Sequence, residues 1–351
     1  TDPFAGRYEN DVREAEETRD MYGVTGKLFH DFGEAWSGKL ILSYREWETT
    51  NREDEDGTAD ATRYFDTNNR EDSDIFYSEM QFNFVNERID AVFGANYSRE
   101  NTFQSTDANA LGDSITRLVT NQLNSGLGLG LDHLWNPEEF ASALNLFGIP
   151  VTGSEVAATG DLWYDTVAGA LNEPMIFGPS FRGVEWTEAI QNEGDFTNWG
   201  IYGDVAYHLS ERLDVIGGLR YSEDEKEFSW LFPPTSFAAL RPGVSNQIFM
   251  LDPQYASAYT TPLESSDNWS QVTGRAVVQY FLSEDFMGYL SYSTGYKSGG
   301  FDSLTISSSA EPLEPEESEM VEIGLKGDLL EGRLRAQIAV FNLQVDGRQT
   351  T

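Results

Sequence analysis

Apolar and polar residues in this chain alternate with a period of two, the pattern of strands that present one apolar face. Tyr22, Val24 and Leu28 alternate with Thr25 and Lys27 up to a turn at Asp31-Phe32-Gly33-Glu34; Trp36, Leu40, Leu42 and Tyr44 follow. Phe76, Met80, Phe82 and Phe84 run to Asn86-Glu87, and Ile89, Ala91, Phe93, Ala95 and Tyr97 lead away from it. The unit recurs around Ser210-Glu211, Ser283-Glu284-Asp285 and Leu330-Glu331-Gly332. The reading is all-β, with about ten strands, a count that carries the boundary error of single-sequence assignment.

Alternation fits a soluble sandwich, with one face on a core. It equally fits a membrane barrel, with apolar side chains toward lipid and polar ones toward a lumen. Connection length separates the two. Within each hairpin the turn is tight. Between hairpins the connections span residues 49–74, 100–195, 223–267 and 297–316. Loops beyond about 15 residues are uncommon in compact domains. Short turns at one end and long loops at the other are the asymmetry of outer-membrane barrels. Trp36, Phe84, Tyr207 and Tyr280 near one set of strand ends, and Tyr44, Tyr97, Trp199, Tyr221 and Tyr292 near the other, suit two membrane–water interfaces. The expectation is an antiparallel up-and-down transmembrane β-barrel, with its localisation in the bacterial outer membrane and lipid as a partner. Leu42, Phe82, Phe93, Val205 and Val278 are expected to point outward.

The remaining chemistry narrows the function by exclusion. No apolar run approaches the roughly 20 residues of a spanning helix. The net charge is −36, which argues against nucleic acid, whose phosphates are bound by basic groups. There is no Cys, hence no thiolate metal site and no Cys nucleophile. His30, His133 and His208 form no metal-ligand spacing and no His–Asp constellation along the chain. Gly126-Leu127-Gly128-Leu129-Gly130 lacks the Lys of a phosphate loop and reads as flexible loop. No enzyme, cofactor or resident metal is expected. The acidic run Arg52-Glu53-Asp54-Glu55-Asp56-Gly57 reads as a solvated loop, with Ca²⁺ capture the functional alternative, since carboxylates suit that ion. Asn136-Pro137-Glu138-Glu139 reads as a helix start. Phe140, Ala143, Leu144 and Phe147 then share a face, and Gly148 ends the helix.

The most specific stretch is 286–347. It holds Tyr289-Leu290-Ser291-Tyr292-Ser293-Thr294-Gly295-Tyr296-Lys297-Ser298-Gly299-Gly300-Phe301, then Pro315-Glu316, then Glu319-Met320-Val321-Glu322-Ile323-Gly324-Leu325-Lys326-Gly327. This resembles the barrel of TonB-dependent outer-membrane receptors, as does Gly217-Gly218-Leu219-Arg220-Tyr221-Ser222 more briefly. On the residues themselves, Gly299-Gly300 would let the backbone leave the rim at a φ that other residues resist. Pro315 suits the start of a strand, and Glu322 and Lys326 alternate with apolar neighbours and so face the lumen. Gly295, Tyr296, Lys297, Phe301, Glu316 and Gly324 complete the motif, with a structural role expected for all of it.

The resemblance implies active uptake of a scarce small-molecule ligand, most often a ferric siderophore, energised by the TonB complex through a plug domain. That family's barrel has 22 strands, so residues 1–351 are expected to be an internal piece of a longer receptor, with the plug and remaining strands outside it. A passive porin and, less favoured, a ten-stranded outer-membrane protease share the alternation. A porin rarely carries a loop like 100–195, and the protease needs acids and a His at the long-loop end. Candidate ligand-facing residues near the outer rim are Arg45, Trp47, Tyr77, Arg220, Trp269 and Gln271.

Overall fold

The computed structural model describes residues 10–170, 178–234, 258, 260–303, 311–330 and 332–349. Ten strands form one sheet: β1 (Glu17–Asp31), β2 (Trp36–Asp54), β3 (Phe65–Val85), β4 (Ile89–Leu111), β5 (Glu185–Ser210), β6 (Leu213–Leu231), β7 (Leu263–Ser283), β8 (Phe286–Lys297), β9 (Glu316–Leu329) and β10 (Leu334–Asp346). Each strand is hydrogen-bonded antiparallel to its sequence neighbour, in the order β1 to β10. Among the described residues β1 and β10 each have a single partner, so the sheet has two open edges. Among the described residues no helix is long and apolar enough to cross a membrane.

Register explains why the alternation is strict. One row of facing residues reads Ile89, Tyr207, Val215, Val278, Leu290, Ile323 and Val340 across seven strands. Another reads Phe82, Phe93, Gly203, Leu219 and Gly274. Side chains directly opposite point the same way, so these rows make one continuous apolar face. Leu42, Phe93 and Val278 are exposed on it, and Phe82 and Val205 share its parity. The apolar stretches Trp36 to Tyr44, Phe84 to Phe76 and Ile89 to Tyr97 match the roughly 9–11 residues a tilted strand needs to span a bilayer. Tyr44, Phe76, Tyr97, Trp199, Tyr221 and Tyr292 cap these stretches in an outward aromatic girdle.

The long connections are shorter than the sequence suggests, because the strands run on beyond the girdle. β2 reaches Asp54 and β3 begins at Phe65; β4 continues to Leu111 and β5 begins at Glu185. Above the girdle no lipid requires an apolar outer face. Acids take the outward positions there, the hydrophobic alternation inverts or vanishes, and the strand signal is lost.

The β4–β5 connection folds into a helical cap: α1 (Gly112–Leu127), α2 (Pro137–Leu146), α3 (Gly153–Thr159) and α4 (Leu162–Ala170). The expected helix is α2, with Asn136 accepting from the Glu138 N–H. Phe140, Ala143 and Leu144 are buried as expected, but Phe147 lies past the helix end and is exposed. Gly126 and Leu127 close α1, and Gly128 is its left-handed cap, donating to the Asn124 carbonyl; the first part of that stretch is a helix terminus, and Leu129 and Gly130 lie in the loop that follows. Ile115, Leu134, Phe140, Val156, Tyr164, Phe181 and Trp186 form the cap core. Phe140 and Tyr164 stack with ring centroids 4.1 Å apart.

Trp186 is completely buried and donates its Nε1–H to Glu188 Oε1 at 2.8 Å. Trp186→Ala should cost about 3–5 kcal/mol, the range for a buried aromatic truncated to Ala. Hydrogen exchange will register this as lost protection in α1 and α2 while the lower strands keep theirs.

Candidate functional site

The inner face carries the polar residues. Arg45, Ile75, Glu100, Phe196, Lys226 and Asp267 stand in one row. Ser43, Tyr77, Ser98, Asn198, Asp224 and Trp269 stand in the next row down, followed by Ile41, Glu79, Asn96, Gly200, Ser222 and Gln271. Arg220 lies one row lower, with Gln81, Gly94, Tyr202 and Thr273. Trp47 lies in the row above Arg45, with Ser73, Thr102, Gly194, Phe228 and Ser265.

All six candidate residues therefore share the inner face, in adjacent rows. They do not form one cluster: Arg45 and Trp47 stand on β2, near one edge, and Trp269 and Gln271 on β7. Nor are they at the outer rim. β2 to β5 extend well above them, so they sit at mid-height.

Several are already engaged. Arg220 donates to Asn96 Oδ1 at 2.7 Å and Ser222 Oγ at 2.8 Å, and lies 5.8 Å from the Tyr202 ring centre. Tyr202 donates to Glu79 at 2.6 Å, and a Cβ at Gly94 would collide with its ring. Trp47 Nε1–H donates to Glu71 at 2.7 Å. Gln271 donates to Glu317 and accepts from the Val272 N–H. Arg275 grips Asp204 through two hydrogen bonds of 2.8 and 3.0 Å. These groups brace the wall, and a ligand at this level must exchange for existing bonds.

A second set of groups shares the upper of these rows and continues above them. Phe196, Phe228, Trp230, Phe301 and Trp269 form a run of ring contacts, with centroids 4.8 to 6.4 Å apart. Lys226 Nζ lies 5.9 Å from the Phe196 ring and 5.7 Å from the Trp269 ring, and donates to the Gly299 carbonyl at 2.7 Å. Burial pushes the Lys226 ammonium below its ordinary range and lifts the Glu100 carboxyl above its own. Of this set, the sequence reading found Trp269 as a candidate and Phe301 as a motif residue. Phe228 and Trp230 alternate with Glu227 and Ser229 inside the span taken for loop; that period of two was the available signal.

The motif residues mostly have structural reasons. Gly299 and Gly300 do not have positive φ, so the expected strained exit is replaced by close packing. A Cβ at Gly299 would collide with the Leu313 carbonyl and the Trp269 ring, and Gly300 bridges Leu313. Phe301 joins the aromatic run. Gly295 makes room for Ser318, and Gly324 for the Tyr289 ring. Tyr289 donates to Glu322 at 2.5 Å, and Lys326 Nζ lies 4.9 Å from its ring centre, which fits the inward placement of both charges. Lys297 and Glu316 face each other in the β8–β9 register, Pro315 directly precedes β9, and the Tyr296 hydroxyl is buried without a hydrogen-bond partner.

The acidic run near 52–57 is organised by its own turns. Asp54 accepts from the Asp56 and Gly57 N–H groups, and Arg52 pairs with buried Asp66 at 2.9 Å. Asp11, Asp54 and Asp56 present carboxylate oxygens within 4.8 Å of one another; acidity alone assigns no ion to them.

Folding does create one His–Asp cluster that sequence spacing hides. His208 Nδ1 lies 2.9 Å from Asp214 and Nε2 3.4 Å from Asp90, at the short-turn end. It ties the ends of β4, β5 and β6.

His133, in the cap, accepts from the Trp135 N–H through Nδ1 at 3.1 Å, so the ring is held neutral. Burial depresses its pKa below the usual 6.5. The unfolded cap then binds the proton first. Cap stability should be full above about pH 6.5 and fall as pH drops through the unfolded value toward the folded one. Exchange protection of α1 and α2 at pH 7.5 and 5.5 will check this, with His133→Asn giving a flat response.

The chain is similar to the pesticin receptors of Yersinia enterocolitica and Yersinia pestis, 25% identical over 138 residues, covering 38% of this chain and 17% of theirs. Its fold resembles the ferric yersiniabactin uptake receptor FyuA from Yersinia pestis, with TM-score 0.56, 14% identity, 93% of this chain and 35% of that one. It also resembles the siderophore receptor PiuA from Acinetobacter baumannii, with TM-score 0.52, 14% identity, 93% and 40%. The chain thus spans well under half the length of these relatives. With the inward polar wall, the outward apolar band and a match over residues 1–351, the chain belongs to the TonB dependent receptor-like, beta-barrel family.

Proposed function

We propose that the protein to which this barrel section belongs is an outer-membrane uptake receptor for a scarce metal complex, a ferric siderophore or similar. The observation that carries this reading is the inner wall above the girdle. Trp269, Phe301, Trp230 and Phe228 offer ring faces there, beside the desolvated Lys226 and Glu100. A wall of rings with few charges holds a mid-sized ligand by shape and selects it by a handful of polar contacts. Uptake would be energised by the TonB complex through a plug domain. No nucleic acid is a partner of such a receptor, and the family transports rather than catalyses. A passive porin is disfavoured by the length of the β4–β5 connection, which holds four helices.

The ligand's charge follows from the protein's own. A chain at −36 repels polyanions at low ionic strength. The ligand is therefore neutral, cationic or metal-bridged, and Ca²⁺ would assist any anionic one. The test is uptake of labelled ferric complexes of graded charge by cells with the intact gene, with and without TonB. Neutral or cationic complexes should accumulate only when TonB is present. TonB-independent accumulation would return the protein to the porin class, and tight uptake of a polyanionic complex, unaffected by salt or Ca²⁺, would overturn the charge argument.

A further inference from the structure

Beyond Tyr221, β6 turns Phe228 and Trp230 to the inner face, and Trp269 of β7 stands on the same face. The ring between them comes from outside the sheet. Among the described residues β8 pairs with β7 as far as Arg275 and Ser293, while β7 continues beside β6 to Leu263. After Lys297 the chain leaves the wall and crosses the inner face of β7 to reach β6. Lys226 Nζ donates to the Gly299 carbonyl at 2.7 Å, and Trp230 Nε1–H donates to the Asp302 carbonyl at 2.8 Å. Between these two anchors Phe301 stacks on Phe228, with ring centroids 5.5 Å apart and planes 9° apart. Trp230 meets the Phe301 ring at 5.7 Å and 82°, and Trp269 meets it at 6.3 Å and 62°.

Two observations mark this occupant as removable. Phe301 is partly buried, whereas Phe228 and Trp230, which receive it, are buried in the wall. The strap that carries it, residues 299–302, has no ladder to β7 among the described residues. It can lift without breaking the sheet. Its other ties, Gly300 with Leu313 and Gln349 with the Ser298 carbonyl, run away from the slot and need not break when Phe301 leaves. Departure of the strap also frees a cation. Lys226 Nζ loses the Gly299 carbonyl and stays between the Phe196 and Trp269 rings, at 5.9 and 5.7 Å. A desolvated ammonium there needs an oxygen acceptor. The empty slot therefore asks for a flat ring with an oxygen beside it.

We propose that Phe301 is a displaceable stand-in for the ligand, and that the ligand is a metal complex whose oxygen donors are carried on aryl rings. The inference rests on the uptake reading above. One aryl ring takes the Phe301 position against Phe228, between Trp230 and Trp269. Lys226 exchanges the Gly299 carbonyl for an oxygen of the complex and so keeps a charge-assisted hydrogen bond. The closed strap lowers apparent affinity by the fraction of molecules in which it is open. It also rejects aliphatic complexes, which cannot replace one ring stack with another.

The complete receptor in detergent is titrated with two neutral, substitution-inert chromium(III) tris-hydroxamates. One is built from benzohydroxamate, with a flat ring, and the other from cyclohexanecarbohydroxamate, with a puckered one. The aryl complex should bind about tenfold tighter, the order expected when a ring–ring contact is kept. Phe301→Ala should tighten the aryl complex by about another tenfold, because the closed strap no longer competes. A Phe301 that served packing alone would give the opposite sign. Residues 1–351 hold no Cys, so Ser303→Cys supplies one label site in this section of the barrel. A nitroxide there should gain mobility when the aryl complex is added and stay immobile with the cyclohexyl complex. That readout leaves Phe301 in place and decides the matter even where Phe301→Ala does not fold. Weaker aryl binding by folded Phe301→Ala would overturn the proposal, as would equal affinity for the two complexes. Aryl binding without loosening of the label, or no aryl binding at all, would overturn it too. The uptake reading fails separately, through TonB-independent accumulation of ferric complexes.

Discussion

Refolded alone into detergent or liposomes, residues 1–351 will associate and will not run as a monodisperse, heat-resistant barrel. The sheet has two unpartnered edges, β1 and β10, and every residue of both strands is exposed. In hydrocarbon each unpaired backbone N–H or C=O costs several kcal/mol, so a whole strand edge outweighs the roughly 5–15 kcal/mol that stabilises a typical domain. Closing the sheet on itself would demand a tighter curvature, since barrel diameter grows with strand number. Edge-to-edge association relieves the penalty. Size-exclusion chromatography and unheated gel mobility will read the outcome. A single sharp, heat-resistant species would mean that ten strands close, and would favour a small pore over a receptor section.

Phe93→Arg in the complete receptor should cost about 2–4 kcal/mol, the cost of a guanidinium on the lipid face near the midplane. Phe93 is exposed on the apolar face, between Phe82 and Gly203 in register. Gln81→Arg, at the same height on the inner face opposite Gly94, should cost far less, because water or polar groups can solvate it. Equilibrium unfolding in urea from liposomes gives both values. Equal costs on the two faces would remove the membrane assignment and favour a sandwich.

The loop region was legible only in part. Asn136-Pro137-Glu138-Glu139 announced α2, because capping is local chemistry: Asn136 meets the Glu138 N–H within three residues. α1 was not legible. Its buried residues include Gly112, Asp113, Thr116 and Thr120, a polar set that turns inward because Thr120 Oγ1 receives the Leu134 N–H and Asp113 receives the Gly183 N–H. Those partners come from distant segments. Likewise, Phe228 and Trp230 looked like residues of a long acidic loop until Phe301 and Trp269 were brought against them.

The sequence by itself determined the architecture. A two-residue period with a lipid-facing half sets strand, face and register at once, since a slip of one residue would turn every apolar side chain into the lumen. The motif Gly299-Gly300-Phe301 was visible too, though its reason was not: Gly299 is needed for contact with Trp269 and Leu313, not for a positive φ. Only the tertiary structure decided how far the strands climb, that the six candidate residues share a face without converging, and that acids take the outward positions above the girdle. The physical cause is common to all three. Above the membrane the solvent is water on both faces, so hydrophobic period no longer reports which way a side chain points. Contacts between residues about 70 positions apart, such as Lys226 with the Gly299 carbonyl and Trp230 with the Asp302 carbonyl, then set the arrangement.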